Sequence, residues 1–279
     1  MEISHKLFRG GEYMNLLNGK RALVTGGARG IGLAIARKMA EEGARVIIND
    51  IQEGLLDGTV KKLLEVGLTV QGFSADITDE GAVQRMFRKV EIEGGLHILV
   101  NNAGGSIRGV RAIRTGRTDH AVGKLVDIKT EDWSGVLSLN LTGTFLCTRA
   151  AVPLLKSSGQ GRIINISSKA GRAGGELSDI AYVTTKAGLI GFTKQCAKEL
   201  GPWGITSNAV APGLILSDWF KAHWENTDQA KRAQILRDVP LNRPAEPEEI
   251  ATVCTFLASD WASYITGVTL DVNGGWYFA

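Results

Sequence analysis

The chain alternates short apolar runs, rich in β-branched residues, with longer stretches in which apolar residues recur every three or four positions. The short runs predict strands buried on both faces, and the longer stretches predict amphipathic helices. In the first half the strands are predicted at 21–25, 45–50, 69–75 and 97–101, and the helices between them at 30–42, 55–66 and 79–93. In the second half the predicted elements are a helix at 133–155, a strand at 162–167, a helix at 181–200, a strand at 206–210 and, after a last helix, a strand at 270–272.

Strands that are separated by helices pair in parallel through right-handed crossovers. The pattern therefore predicts an α/β fold with one doubly wound parallel sheet, Rossmann-like, between two layers of helices. We expect a single domain over 17–279 and an N-terminal arm at 1–16, because the regular pattern begins just after a second methionine, Met14. In such a sheet ligands bind at the carboxyl ends of the strands, so the functional motifs are expected there.

Composition argues against several classes of function. Of 279 residues 44% are hydrophobic, and the net charge of +3 is dispersed, so neither a nucleic-acid nor a membrane partner is expected. No apolar run approaches the ~18 residues of a membrane span and the start lacks the apolar centre of a secretory signal, which predicts a cytoplasmic protein. Cys147, Cys196 and Cys254 form no CxxC pair and are predicted to be buried small residues. The four histidines have no ligand-like spacing, so no metal site is predicted.

A glycine-rich turn, TGGARGIG at 25–32, follows the first predicted strand and opens the first predicted helix. Gly26 permits the tight turn, and Gly30 and Gly32 let the backbone and a phosphate approach each other. The free amides and positive dipole of the helix N-terminus favour a pyrophosphate. The turn thus predicts a dinucleotide site, with a plain strand-to-helix connection as the alternative.

Asp50 ends the second predicted strand, where a carboxylate can accept both hydroxyls of an adenosine ribose and would repel a 2′-phosphate. Arg29 in the turn could bind that phosphate, or it could be a solvated turn residue. The carboxylate carries more weight, so NAD is favoured over NADP.

Tyr182 and Lys186 lie four residues apart in a predicted helix, on the same face. A neighbouring ammonium favours the phenolate, which predicts a tyrosine base whose pKa is lowered towards neutral pH. Such a pair alone is often just helix surface, but here Ser168 precedes it and a dinucleotide turn opens the chain.

With these motifs in order, the chain resembles the short-chain dehydrogenase/reductase family from Leu17 to Trp276. The turn at 25–32 matches the family's TGxxxGxG, whose spacing differs from the GxGxxG of other dinucleotide-binding proteins, and 101–104 matches its NNAG. Pro212 and Gly213 match its PG motif, with Ser217 where the family commonly has threonine. The positions that the turn, Asp50 and the resemblance assign to the cofactor are Gly26, Arg29, Gly30, Ile31, Gly32, Asp50, Ile51, Asp76, Ile77, Asn102, Ala103, Gly104, Tyr182, Lys186, Pro212, Gly213, Ile215 and Ser217.

The resemblance also implies a catalytic tetrad of Asn140, Ser168, Tyr182 and Lys186. In that tetrad Tyr182 exchanges a proton with the substrate oxygen, and Lys186 lowers its pKa and holds the nicotinamide ribose. Ser168 orients the substrate oxygen, and Asn140 links Lys186 to solvent through a bound water. The segment before Tyr182 is slightly longer than in many relatives, which leaves Ser167 as the alternative to Ser168. The resemblance further implies a homotetramer.

Residues 105–128 exceed the usual length of this connection and are expected to form a loop at the carboxyl edge of the sheet. Their basic residues are Arg108, Arg111, Arg114, Arg117, His120 and Lys124. Asp119 is the only acidic residue of the segment before Asp127. Arginine forks there would suit an anionic substrate. A solvated or subunit-contacting loop is nevertheless the favoured interpretation, with the anion site as the alternative. Residues 213–240, with Trp219, Phe220 and Trp224, resemble the family's substrate lid.

The leading functional hypothesis is an NAD-dependent dehydrogenase that oxidises a secondary alcohol, as in a sugar, polyol or hydroxy acid. The alternative is an NADPH-dependent 3-oxoacyl-(acyl-carrier-protein) reductase, whose acidic protein partner would also explain the basic insert. A nucleotide-binding regulatory protein without turnover is a third hypothesis, which the complete tetrad disfavours.

Overall fold

Seven parallel strands form one sheet in the computed structural model, which describes residues 15–115, 124–175 and 178–279, apart from the side chains of 114, 115, 218, 219, 222 and 223. The strands are β1 (Arg21–Thr25), β2 (Arg45–Asp50), β3 (Val70–Ser74), β4 (Ile98–Asn101), β5 (Arg162–Ile166), β6 (Thr206–Pro212) and β7 (Thr269–Val272). Their order across the sheet is β3-β2-β1-β4-β5-β6-β7. The sheet therefore grows in opposite directions from β1 and from β4, and the crevice at their carboxyl ends is where such a fold binds ligands.

Helices cover both faces of the sheet. They are α1 (Gly30–Glu41), α2 (Glu53–Glu65), α3 (Glu80–Ile92), α4 (Ile107–Thr115), α5 (Thr130–Leu137), α6 (Gly143–Ser158), α7 (Lys169–Ala173), α8 (Ile180–Leu200), α9 (Asp218–Glu225), α10 (Gln229–Leu236) and α11 (Pro247–Ala258). Along β1, Ala22 and Val24 pack into a cluster with α1 and α11, whereas Leu23 packs into the opposite cluster with α3 and α6. All three side chains are fully buried, as alternation in a strand between two helical layers requires.

The predicted fold class is confirmed. Through the first half of the chain the predicted strands and helices agree with the structure to within two residues at either end. Cys147 and Cys254 are fully buried, as predicted, and Cys196 is half-buried.

The long helix predicted at 133–155 is interrupted. A π-helical segment, Ser138–Thr142, joins α5 to α6 and contains Asn140. Such segments occur often at functional sites, because the extra residue per turn re-aims the side chains beside it. A 3.6-residue apolar period does not reveal them, which is why the sequence pattern predicted one continuous helix.

The expectation of a loop at 105–128 is wrong for its first half. Ile107 and Val110 stand one turn apart among the arginines, and both are buried against Val136 and Ala181 in a separate apolar cluster. That contact holds α4 in helical form against α5 and α8. The helix was missed because three arginines and a glycine are interspersed among its apolar residues.

Candidate active site

The glycine turn is packed directly against the segment that follows β4. Gly26 and Gly30 have positive φ angles, of 60° and 55°. A Cβ on Gly26 would lie 2.9 Å from the Cα of Ala103, and one on Gly32 would lie 2.2 Å from the carbonyl oxygen of Gly26. The backbone conformation favours glycine at 26 and 30, and the lack of room for a side chain favours it at 26 and 32.

Asn102 and Thr25 lock the turn in place. The amide of Asn102 donates to the carbonyl oxygens of Thr25 and Gly26, at 2.9 Å each. In return, Thr25 Oγ1 accepts the backbone N–H groups of Asn102 and Ala103, at 3.1 Å each. Sequence reasoning assigned no role to the hydroxyl of Thr25, although its place directly before the glycines was a signal.

The N-terminus of α1 suits a pyrophosphate. Its first turn has no acidic side chain, and the N-cap residue Arg29 makes no side-chain capping bond. The first amides and the helix dipole are thus available to an anion. From the other side of the crevice Ser217 approaches the turn, since a Cβ on Gly30 would lie 3.5 Å from that of Ser217.

Asp50 lies beside the turn at the carboxyl end of β2. Its Oδ2 accepts the Ala28 amide at 3.3 Å and its Oδ1 accepts the Gln52 amide at 3.1 Å. Each oxygen retains a second lone pair, so the carboxylate is fixed in orientation and can still accept ribose hydroxyls. Ile51 next to it is 43% exposed, and Arg29 is exposed.

The other predicted cofactor residues follow β3 and β6. Asp76 Oδ1 accepts both the amide and the hydroxyl of Thr78, at 2.8 Å each. The side chain of Ile77 is buried against α6, where a Cβ on Gly143 would lie 2.6 Å from its Cδ1. Any contact from Ile77 to a ligand must therefore come from its backbone.

The segment after β6 is likewise pinned. The Gly213 amide donates to the carbonyl of Val272 at 3.0 Å. Ile215 is nearly buried and forms a bridge with Ala245. Pro212 and Ser217, at the two ends of this segment, are thereby held at the carboxyl edge of the sheet.

The structure brings Lys186, Asn140 and Gly104 together. A Cβ on Gly104 would lie 3.2 Å from Lys186 Nζ and 3.0 Å from Asn140 Oδ1. Lys186 is buried, donates to the carbonyl of Ile166 at 2.6 Å, and has its Nζ 5.6 Å from the centroid of the Tyr182 ring.

Asn140 is held by protein groups on both sides. Its Oδ1 accepts the Gly105 amide at 2.8 Å, and its Nδ2 donates to the Gly105 carbonyl at 3.1 Å and to Thr185 Oγ1 at 2.8 Å. The side chain thus joins the segment after β4 to α8. The water relay that the resemblance implies for it stays a prediction.

Ser168, rather than Ser167, is the serine whose hydroxyl interacts with Tyr182. Ser168 forms a side-chain hydrogen bond with Tyr182 and also accepts the Ala170 amide at 3.1 Å. Ser167 is buried and donates to the Lys186 carbonyl at 2.7 Å. The structure thus gives Ser167 a packing role within the sheet and α8.

The electrostatics of the pair differ from the expectation. Burial raises the pKa of Tyr182; the hydrogen bond from Ser168 lowers it and the charge of Asp179 raises it further. Burial also lowers the pKa of Lys186 to about 8. Lys186 is not among the groups that shift the pKa of Tyr182, so the expected lowering of that pKa is not found. Tyr182 is therefore protonated at neutral pH.

Asp179 is a residue of the site that sequence reasoning missed. It caps α8, where its Oδ1 accepts the Tyr182 amide at 2.8 Å, and its Oδ2 accepts the Ile107 amide at 2.9 Å. An aspartate directly before a predicted helix is an N-cap signal that could have identified it.

The basic insert is only partly available to a ligand. Arg111 is paired with the buried carboxylate of Asp132, its Nε 2.8 Å from Oδ1. The side chain of Arg108 is partly buried. Arg117 and His120, and the side chain of Arg114, lie outside the described residues. The expectation of a row of arginines facing substrate is therefore wrong for Arg111, which holds α4 to α5.

In the part of the chain that the structure describes, no helix is long and apolar enough to cross a membrane, and no three histidine, cysteine or acidic side chains group as metal ligands.

Comparison with known proteins gives consistent results across nearly the whole chain. A family model described as enoyl-(acyl carrier protein) reductase matches residues 26–277. The 3-oxoacyl-[acyl-carrier-protein] reductase of Aquifex aeolicus is 40% identical over 263 residues, which are 94% of this chain and 98% of that protein. The enzyme of the same name from Vibrio cholerae is 39% identical over 262 residues, with the same coverage.

Solved structures with other names are also similar. A candidate gluconate dehydrogenase from Agrobacterium tumefaciens has a TM-score of 0.84 at 30% identity, covering 95% of this chain and 98% of its own. A candidate NAD(P)-dependent gluconate 5-dehydrogenase from Beutenbergia cavernae, solved with NADP at low occupancy, has a TM-score of 0.82 at 30% identity, covering 95% and 99%. Proteins named for different substrates are thus similar to this chain over nearly its whole length.

Proposed function

Because the chain belongs to the short-chain dehydrogenase/reductase family, an oxidoreductase family acting on CH–OH groups, we propose that it uses a nicotinamide cofactor to reduce the ketone of a 3-oxoacyl thioester. The near-full-length relatives named for that reaction support the substrate class. Those relatives carry the proposal, and the raised pKa of Tyr182, which keeps its proton in place at neutral pH, fits a reduction. A ketone reduction needs a proton donor at the oxygen, and a protonated phenol is one.

The side chains around Tyr182 fit this role. Tyr182 donates its proton to the carbonyl oxygen, and Ser168, bonded to the same hydroxyl, orients that oxygen. Lys186, cationic below pH about 8, stabilises the negative charge that develops and lies where it can hold a ribose. When bound, the nicotinamide supplies the hydride.

We propose NAD as the preferred cofactor. Asp50 is held by two backbone amides with its carboxylate beside the glycine turn, where a 2′-phosphate would meet like charge. The related gluconate 5-dehydrogenase candidate solved with NADP argues the other way, as does the exposed Arg29. Substrate assays therefore have to compare NADH with NADPH.

The second candidate function is the interconversion of a sugar acid or polyol with its ketone. The two gluconate dehydrogenase candidates favour it, because they share the fold over nearly the full chain. The same tetrad serves this reaction in the oxidative direction, where Tyr182 must first lose its proton. A raised pKa of Tyr182 then places the optimum at alkaline pH.

A substrate panel separates the candidates. Initial rates are measured with acetoacetyl thioesters and with gluconate and its 5-keto form, each with both phosphorylated and unphosphorylated nicotinamide cofactors. The proposal expects the highest kcat/KM for thioester reduction. A higher kcat/KM for gluconate or its ketone would replace it with the second candidate. Tight cofactor binding without turnover of any compound would identify a regulatory nucleotide-binding protein.

A further inference from the structure

One carboxylate joins the catalytic helix to the insert helix. Asp179 accepts the amide of Tyr182 with Oδ1, at 2.8 Å, and the amide of Ile107 with Oδ2, at 2.9 Å. It is only 6% exposed. Both hydrogen bonds are charge-assisted, because the acceptor is a carboxylate. Both donors are amides in the first turn of a helix, which have no partner inside their own helices. Tyr182 and the first turn of α4 are thus fixed to the same side chain.

Apolar packing reinforces this junction. Ile107 and Val110 of α4 pack on Ala181, which precedes Tyr182, and on Val136 of α5. An ion pair between Arg111 of α4 and Asp132 of α5 also holds these two helices together. A displacement of α4 is therefore transmitted to Asp179, and through it to the backbone of the catalytic tyrosine.

We propose that Asp179 is a positioning residue of this enzyme, which sets both the placement and the protonation of Tyr182 and makes α4 part of the active-site wall. The proposal rests on the proposed function only in that Tyr182 is the proton-exchanging group; it holds for either substrate class.

The charged surroundings of Tyr182 support an electrostatic part. Lys186 approaches from α8, Lys169 and Arg172 come from α7, which packs on α8, and Arg111 and Asp132 lie on α4 and α5. Arg172 is paired with Asp271. Among the described charged residues, Asp179 is the one whose charge shifts the pKa of Tyr182, and it shifts it upward.

The test compares Asp179→Asn with the wild type. The asparagine keeps an oxygen for the Tyr182 amide but removes the charge and turns a donor towards the Ile107 amide. Removing the charge lowers the pKa of Tyr182, so the alkaline limb of reduction and the rising limb of oxidation both move to lower pH. Hydrogen exchange at the Ile107 amide is expected to accelerate. Asp79→Asn, at the exposed N-cap of α3, is the matched control and leaves both readouts unchanged.

A further readout does not depend on turnover. The tyrosinate absorbance of Tyr182, isolated by subtracting the titration of Tyr182→Phe, reports the same shift to lower pH. If Asp179→Asn does not fold, Asp179→Ser retains a helix cap without the charge and is used instead. An unchanged titration and unchanged exchange at Ile107, in a variant that is merely less stable, overturn the proposal. Absence of activity on the thioester alone does not overturn the proposal, because the absorbance titration and the gluconate assay can still test it.

Discussion

At the scale of single residues, burial governs the protonation of the candidate proton donor and of the lysine beside it. The spacing of Tyr182 and Lys186 predicted a helix face that carries both side chains, and the structure brings them together. Their protonation depends on burial, which arises from β5, α7 and the segment after β4 and is invisible in a four-residue motif. Asp179 acts across a gap of 72 positions in the chain to Ile107, a contact that no local pattern encodes.

Replacement of Tyr182 by phenylalanine tests the proton donor. Loss of a positioned general acid is expected to lower kcat on the order of 10²- to 10⁴-fold, with folding and cofactor affinity nearly unchanged. Tyr264→Phe is the control, since Tyr264 is fully exposed. Steady-state kinetics and a cofactor titration provide the measurements. A Tyr182→Phe enzyme that kept about a tenth of the wild-type rate would place the proton donor elsewhere.

The ammonium of Lys186 gives a pH dependence whose sign is fixed. Burial lowers its pKa from 10.5 to about 8, so the group is cationic below that pH and neutral above it. Catalysis and cofactor affinity that depend on the ammonium are therefore complete below pH 8 and decline as pH rises through it. In Lys186→Met both are low and lack this decline, whereas Lys194→Met, at an exposed position on α8, behaves as wild type. If the cofactor affinity of the wild type did not change from pH 7 to 9.5, a role of the Lys186 ammonium in cofactor binding would be excluded.

Asp50 decides the cofactor preference. Two like charges ~4 Å apart repel by ~1 kcal/mol even in water and by more near a protein surface, so Asp50→Ala should shift the NAD-to-NADP ratio of kcat/KM by about tenfold or more. Asp57→Ala, at an exposed position on α2, should leave the ratio unchanged. A wild-type enzyme that prefers NADP would show that Arg29 outweighs Asp50.

At the scale of elements, the regular strands and helices could be predicted because burial on both faces of the sheet leaves a clear apolar period. The π-helical segment Ser138–Thr142 and the helix α4 could not. The first lies beside a close approach of Gly143 to Ile77, and the second packs through a small apolar cluster although three arginines stand among its residues. Both elements border the active site, where function departs from regular patterns.

Gly143→Ala tests the contact beneath the π-helical segment. Its Cβ would lie 2.6 Å from Ile77 Cδ1 and 2.8 Å from its Cγ1, so one of the two elements must move. We expect a loss of stability of ~1–3 kcal/mol together with lower activity, because Asn140 sits in the displaced turn. Gly58→Ala in α2 meets no atom within 4 Å and should instead raise the free energy of unfolding by ~0.4–1 kcal/mol. Equal effects of the two substitutions, in denaturant titrations, would contradict this reading of the segment.

At the scale of the whole molecule, the order of the strands explains why distant motifs meet. The sheet gathers along one edge the motifs that lie at or just after the carboxyl ends of its parallel strands, namely the glycine turn, Asp50, 102–104, Ser168 and 212–213. That convergence could be predicted once the strands were. Substrate and cofactor preference could not, because each depends on a few side chains at that edge whose partners only the fold defines. The homotetramer and the cytoplasmic location stay predictions.

Ligand-linked stability tests whether this edge binds the cofactor as a unit. A cofactor at about 100 times its Kd should raise the free energy of unfolding by ~2.7 kcal/mol. Tyr182→Phe should retain that increment. Gly30→Ala should lose most of it, because the residue has a φ of 55° and its added Cβ would face Ser217 across the crevice. Gly67→Ala is the matched control: it has a φ of 80° and no atom within 4 Å, so it carries a similar backbone penalty of ~1–2 kcal/mol without a change in the increment. If both alanine variants gained the full increment, the glycine turn would be a plain connection between β1 and α1, and the cofactor would have to bind elsewhere on the sheet.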